Sequence, residues 1–164
     1  MICHTTFLAS TGSLSEEQIQ AAALPLASFL GVNLSQVDYM VNPHQFLKSL
    51  PTDDELVRIV GDAAMYQPDF GSWLEALGAW RKPTLLLASP LPSGKHSGTA
   101  ACYVSLCKEL NVPLIGIVQI GSKWNEFERR QDGLPWCGFI PLLESNAMSN
   151  ETDYSLDHSL TVRE

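Results

Sequence analysis

Two uninterrupted apolar runs, Pro83–Ala88 and Pro113–Ile120, constrain this chain more than any other feature. Neither alternates polar with apolar. A strand with one face in water alternates, whereas a strand covered on both faces reads as a continuous run. Between them, Ala101, Val104, Leu106, Cys107 and Leu110 recur at helical spacing over Ala100–Leu110, and Asn111 supplies a stop. Strand, helix and strand within about 38 residues make a βαβ unit, whose strands run parallel through a right-handed crossover. Both faces of such a sheet need a helix layer. The expectation is therefore a three-layer α/β domain around a mostly parallel sheet of about five strands.

Upstream, His4–Ser10 is β-branched and aromatic enough for a strand ending at the Thr11-Gly12 turn. Ser15 with Gln18 has the pattern of a capping box, and Ile19, Ala22, Ala23, Leu26 and Leu30 predict a helix that Gly31 stops, with Pro25 placed to kink it. Val37–Val41 predicts a short strand closed by Asn42-Pro43. Thr52, Asp53 and Asp54 put oxygen acceptors where a helix start needs them, ahead of Leu56, Val57, Ile59, Val60 and Ala64. That stretch is read as a helix, with a buried strand over Leu56–Val60 as the competing assignment. Gln67–Ser72 is a turn, and Trp73–Trp80 a short helix with Trp73, Leu77 and Trp80 on one side. Gly121–Arg130 reads as loop or one helical turn, and Leu134–Pro141 as a last strand. Residues 144–164 hold five acids and one basic residue without periodicity, so they are expected to be an acidic, flexible tail after a single domain over residues 1–143.

Length agrees with one domain, since 164 residues slightly exceeds the usual domain size of roughly 100–150. Charged residues are 17% and hydrophobic residues 45%, a composition that favours a packed core over disorder. The net charge of −8 argues against a nucleic-acid or anionic-membrane partner, either of which needs clustered Lys and Arg. No apolar stretch approaches the roughly 18 to 20 residues of a spanning helix. The first basic residue is Lys48, so no cationic leader precedes it and a cytoplasmic, soluble protein is expected. Cys3, Cys102, Cys107 and Cys137 form no CxxC pair and are expected to be buried thiols, although Cys102 also sits near a helix start that would stabilise a thiolate. His4, His44, His96 and His158 show no metal-binding spacing.

In a parallel sheet, ligands bind where strands end and helices begin, because the first helical turn presents unpaired N–H groups and the positive end of the helix dipole. The loop from Ser89 to Thr99 occupies that place in the βαβ unit. Gly94 and Gly98 allow close backbone approach, Lys95 brings a charge, His96 adds a ring, and Ser93, Ser97 and Thr99 offer hydroxyls to an anion. Gly94-Lys95 matches part of the phosphate-cradling GxxxxGK[ST] template, but Ser89 replaces its first glycine and His96 its last hydroxyl residue. Ser97-Gly98-Thr99 matches part of the phosphoribosyltransferase loop, without the two preceding acids. A second loop, Thr11–Ser15, has hydroxyls and amides but no lysine, so it is poorly equipped to neutralise charge on a transferring phosphoryl group. Asp53, Asp54, Glu55, Glu126 and Glu128 are carboxylates of a kind that ligates magnesium, but they lie in charge runs of the solvated type. Trp124, Phe127, Arg129, Arg130 and Trp136 cluster late in the chain, suited to stacking on a ring or to packing on the sheet edge or a partner subunit.

Three phrases of the chain, Ala79-Trp-Arg-Lys-Pro-Thr-Leu-Leu-Leu-Ala88, Asn111-Val-Pro-Leu-Ile-Gly-Ile-Val-Gln-Ile120 and Gly133-Leu-Pro-Trp-Cys-Gly-Phe-Ile-Pro141, occur in an order that resembles the back half of dethiobiotin synthetase. The resemblance covers residues 73–143. It implies a fold like that of the P-loop ATPases and, in the family, ATP- and magnesium-dependent ligation of carbon dioxide into a diamine. The chain departs from the family pattern at three places. Thr11–Ser15 stands where the family has a Gly-Lys-Thr loop, Ile59–Ala63 where it has Val-Glu-Gly-Ala-Gly, and Gln119 is the amide nearest its base-reading Asn. The resemblance thus implies a shortened relative that binds a nucleotide, phosphate or carboxylate through Ser93, Gly94, Lys95, His96, Ser97, Gly98 and Thr99, with Gln119 and Trp136 lining the base pocket and with little or no ATP hydrolysis. The alternative expectation is a non-catalytic interaction domain, including a homodimer, that retains only the fold.

Overall fold

The computed structural model describes residues 5–12, 14–51, 53–121 and 123–141. His4, where the first strand was expected to begin, Thr52, and the expected acidic tail over 144–164 lie outside the described residues. Six strands form one all-parallel sheet: β1 Thr6–Ser10, β2 Asn33–Asp38, β3 Glu55–Val60, β4 Thr84–Ala88, β5 Leu114–Ile120 and β6 Trp136–Ile140, in the spatial order β2-β3-β1-β4-β5-β6. Among the described residues five helices connect them: α1 Glu16–Leu30, α2 Pro43–Lys48, α3 Trp73–Ala79, α4 Gly98–Glu109 and α5 Glu126–Gln131.

The α/β expectation holds, and the sheet has one strand more than anticipated because β3 is a strand and not the start of a helix. Glu55–Val60 sits between β1 and β2, and its middle four residues are buried. Val57 and Ile59 enter one core and Leu56 the other, which is the two-faced burial that removes alternation from the sequence. Arg58 lies on the same face as Leu56, and its guanidinium reaches Glu16 at 2.8 Å and Gln36 at 2.8 Å. The acids ahead of Leu56 cap nothing. The second strand begins and ends earlier than Val37–Val41, and α2 follows it from an Asn42 cap.

Two cores flank the sheet. One is built from Phe7, Ala9, Val57, Ile59, Leu86, Ala88 and Ile117 against α3 and α4, with Trp73 at its centre. The Trp73 ring meets Phe46 at 5.6 Å and Phe7 at 6.1 Å, and its indole N–H donates to the Tyr39 carbonyl at 3.1 Å. The other core joins Leu8, Leu56, Leu85, Leu87, Val118 and Ile120 to Ile19, Ala22, Ala23 and Leu26 of α1. Trp73 and Leu77 are buried as expected, whereas Trp80, at the C-cap of α3, is exposed and donates to His44 at 2.9 Å. Gly78 of α3 lies so close to the Leu110 carbonyl that a Cβ would collide with it, which holds α3 against the end of α4. Among the described residues, no helix is long and apolar enough to cross a membrane.

Candidate functional site

The loops at the carboxyl ends of β1 and β4 lead to helices on opposite faces of the sheet, and the two helix starts differ. Ser15 accepts from the Gln18 amide while the Gln18 side chain accepts from the Ser15 amide, completing the capping box foreseen from the sequence. Glu16 and Glu17 occupy the first turn of α1. Thr11 is buried, and both its amide and its hydroxyl donate to the Leu87 carbonyl. The Thr11, Ser15 and Gln18 amides at that end are matched by the protein itself, and an incoming anion would meet two carboxylates.

At α4 the reverse holds. Ser97 stands at the N-cap in extended conformation, yet no side chain caps the helix, and its first turn carries no acid. The Ser97 hydroxyl instead meets the Thr99 hydroxyl at 2.5 Å. The preceding loop folds on itself: the Gly94 amide donates to the Leu91 carbonyl and the Leu91 amide to the Lys95 carbonyl, both at 2.8 Å, with Gly94 at φ +81°. Two amides of the loop are thus used internally, and the first turn of α4 has no side-chain cap.

Beside this helix start lies a cleft of about 500 Å³ lined by Lys95, His96, Ser97 and Gly98 on one side and by Glu128, Arg129 and Asp132 on the other. Arg129 organises it. Only 5% exposed, it donates from Nε to Gln119 Oε1 at 3.1 Å, from Nη1 to Asp132 Oδ2 at 3.3 Å and from Nη2 to the Gly94 carbonyl at 2.6 Å. Its guanidinium carbon lies 5.3 Å from the centre of the Trp136 ring, whose N–H is held by Asp132 at 2.9 Å. The His96 ring stands 4.3 Å from Trp136 on the same platform. Burial, followed by the charge of Arg129, lowers the His96 pKa below its ordinary value of 6.5, against the raising influence of Gln119 and Asp132.

Of the residues picked from the sequence, Lys95, His96, Ser97 and Gly98 line the cleft. Ser93 is exposed, and its hydroxyl accepts from the Lys95 amide at 3.4 Å. Thr99 is held through Ser97. Gln119 is fully buried, so it supports the cleft from behind. Trp136, expected to line the pocket, is not among the lining residues and instead packs beside His96 and Arg129. Its other neighbour is Trp124, which in turn stacks on Phe139 at 5.6 Å. Arg129 was expected only within the late aromatic and arginine cluster, as a stacking or packing residue and not as part of the loop site, and Asp132 was not singled out. The available signal was Asn125 three residues before Glu128, an N-cap pattern that the structure confirms and that would have placed Arg129 on a helix.

Ile59–Ala63, which stands where the resembling family has Val-Glu-Gly-Ala-Gly, runs through the end of β3. There Asp62 Oδ1 accepts from the Tyr103 hydroxyl at 2.5 Å and from the Ala64 amide at 2.8 Å. Burial, and then Asp62, raises the Tyr103 pKa, so the phenol keeps its proton. Among the described residues no group of three or more His, Cys, Asp and Glu side chains is placed to share a metal ion. Both donors fall on Oδ1 and hold the Asp62 carboxylate beside Tyr103. Of the cysteines, Cys107 is buried, and burial pushes its thiol up to about 11; Cys102 is exposed rather than buried and Cys137 is half-buried. Cys3 lies outside the described residues. No family model and no curated protein matches this chain.

Proposed function

We propose that this protein is a small-anion-binding domain of shortened dethiobiotin synthetase-like build, taking a nucleotide, phosphate or carboxylate at the start of α4, with little or no ATP hydrolysis. The observation that carries the reading is the uncapped α4 start facing the 500 Å³ cleft beside Lys95. The positive dipole end of α4 and the Lys95 side chain border one volume, and the carboxylates on its other side, Asp132 and Glu128, lie beside the Arg129 guanidinium. The capped and acidic start of α1 supports the loss of hydrolysis, since in the resembling family the corresponding loop holds the transferring phosphate. Lys95→Ala is expected to weaken phosphate or ATP binding by about tenfold in calorimetry, the usual scale of one charge-assisted contact. Absence of heat from phosphate, ATP and carboxylates with the native protein would exclude the reading.

The alternative, a protein-interaction domain, draws support from Met40, Val41, Met65 and Tyr66. These side chains are exposed in the segments that follow the adjacent strands β2 and β3. A chain that stays monomeric and captures no partner in pull-downs would count against it.

A further inference from the structure

Strands β2 and β3, neighbours at one side of the sheet, end in the same device. Asp38 Oδ1 accepts from the Met40 amide at 2.8 Å, and the Asp38 carbonyl accepts from the Val41 amide at 3.0 Å. Asp62 Oδ1 accepts from the Ala64 amide at 2.8 Å, and the Asp62 carbonyl accepts from the Met65 amide at 3.1 Å. Both turns are fastened to the start of α3. The Trp73 indole N–H donates to the Tyr39 carbonyl at 3.1 Å, and the Leu74 amide donates to the Ala63 carbonyl at 3.1 Å. The turns also meet each other, because the Tyr39 ring lies against Gly61, where a Cβ would strike it. Two turns held side by side on one helix end thus present Met40 and Val41 from one and Met65 and Tyr66 from the other. All four are exposed, Met40 by 63% and Tyr66 by 66%. Grouped exposed apolar side chains mark contact surfaces, and tyrosine and methionine are residue types that protein interfaces favour.

Charge selects the occupant. Residues 1–80 hold nine acids and two basic residues, Lys48 and Arg58, and Arg58 is buried against Glu16. Nearly all of the net charge of −8 therefore belongs to the half of the chain that carries these turns, and Asp38 and Asp62 are exposed beside the apolar residues. A second copy meeting the first through the same turns would set these carboxylates against their equals, and an anionic bilayer would be repelled. We propose that the ends of β2 and β3 dock a basic, amphipathic segment of another protein, whose apolar side chains seat on Met40, Val41, Met65 and Tyr66 and whose lysines or arginines face Asp38 and Asp62. This rests on the interaction-domain reading and gives it a place and a partner chemistry. Because α3 holds both turns in place, little ordering cost falls on this side of the contact.

The probe is a short amphipathic peptide of leucine and lysine, with a counterpart in which glutamate replaces lysine. In calorimetry with the full chain, the lysine peptide is expected to bind, roughly fivefold more weakly when salt is raised to about 0.3 M, and the glutamate peptide not to bind. Met40→Ser combined with Tyr66→Ser, at two largely exposed positions, should weaken the lysine peptide roughly tenfold, whereas Leu24→Gln, at an exposed apolar position on α1, should leave it unchanged. Asp38→Asn combined with Asp62→Asn keeps the oxygen that holds each turn and removes its charge, and should weaken binding several-fold at low salt. Binding of both peptides alike, or equal losses from the Leu24 variant and the Met40/Tyr66 variant, overturns the proposal. A native protein whose dimer is lost in the Met40/Tyr66 variant by sedimentation makes a second copy the occupant, and also overturns it. A cellular partner retained equally by the native protein and that variant keeps the interaction-domain reading but overturns this surface. If the native protein binds neither the lysine peptide nor any partner, the reading and the surface fall together.

Discussion

Arg129 shows how much one buried side chain can organise. Its planar fork joins the sheet through Gln119, the β4–α4 loop through the Gly94 carbonyl and the end of α5 through Asp132. Lysine carries the same charge on a compact ammonium that cannot reproduce three divergent donors. Arg129→Lys is expected to cost about 1–3 kcal/mol, the range for leaving buried polar partners unmatched. Its signature is local: the Leu91 and Gly94 amides, both hydrogen-bonded within the loop, should exchange with deuterium faster than those of β1. Uniform acceleration across the sheet would show that Arg129 stabilises the whole domain and does not anchor this loop. The same side chain marks a limit of reading residues in order. In the sequence it sits in a polar run between Glu128 and Arg130, and nothing local distinguishes the cation that is buried from the one that points into water.

At the scale of elements, the contrast between α1 and α4 carries the functional reading, and it can be inverted. Aspartate at the N-cap of α4 would accept from the first-turn amides and interact favourably with the helix dipole. Ser97→Asp should therefore raise stability by about 1 kcal/mol in urea unfolding while weakening phosphate binding, because its carboxylate occupies the place proposed for the ligand. A variant more stable than the native protein that binds phosphate undiminished would remove the α4 start from the site. The α1 capping box, by contrast, was legible from Ser15 and Gln18 alone, since capping is a contact over three residues. The β3 segment was not. Glu55–Val60 carries four apolar residues around Arg58 with neither period, and three acceptors ahead of it imitate a helix start; its place between β1 and β2 is what makes it a strand.

For the molecule as a whole, the aromatic core and the proposed ligand cleft lie in different places. Trp73 is 1% exposed and joins α3 to β1 and α2 through its two ring contacts. Trp73→Ala should cost about 3–5 kcal/mol, lowering the thermal midpoint by something on the order of 10 °C. Measured well below that midpoint, its phosphate affinity should stay within about twofold of native, since distant sites act nearly independently. A large loss of binding in a folded Trp73→Ala protein would show that the core and the cleft are coupled. The apolar runs Pro83–Ala88 and Pro113–Ile120, with the periodic stretch between them, determined a two-sided parallel sheet from sequence alone, because burial on both faces leaves its mark residue by residue. The position of the first strand at the sheet's centre, the strand identity of Glu55–Val60 and the meeting of His96, Gln119, Arg129 and Trp136 were decided only in three dimensions. Each depends on which strands become neighbours, and pairing between distant segments leaves no periodicity in either one.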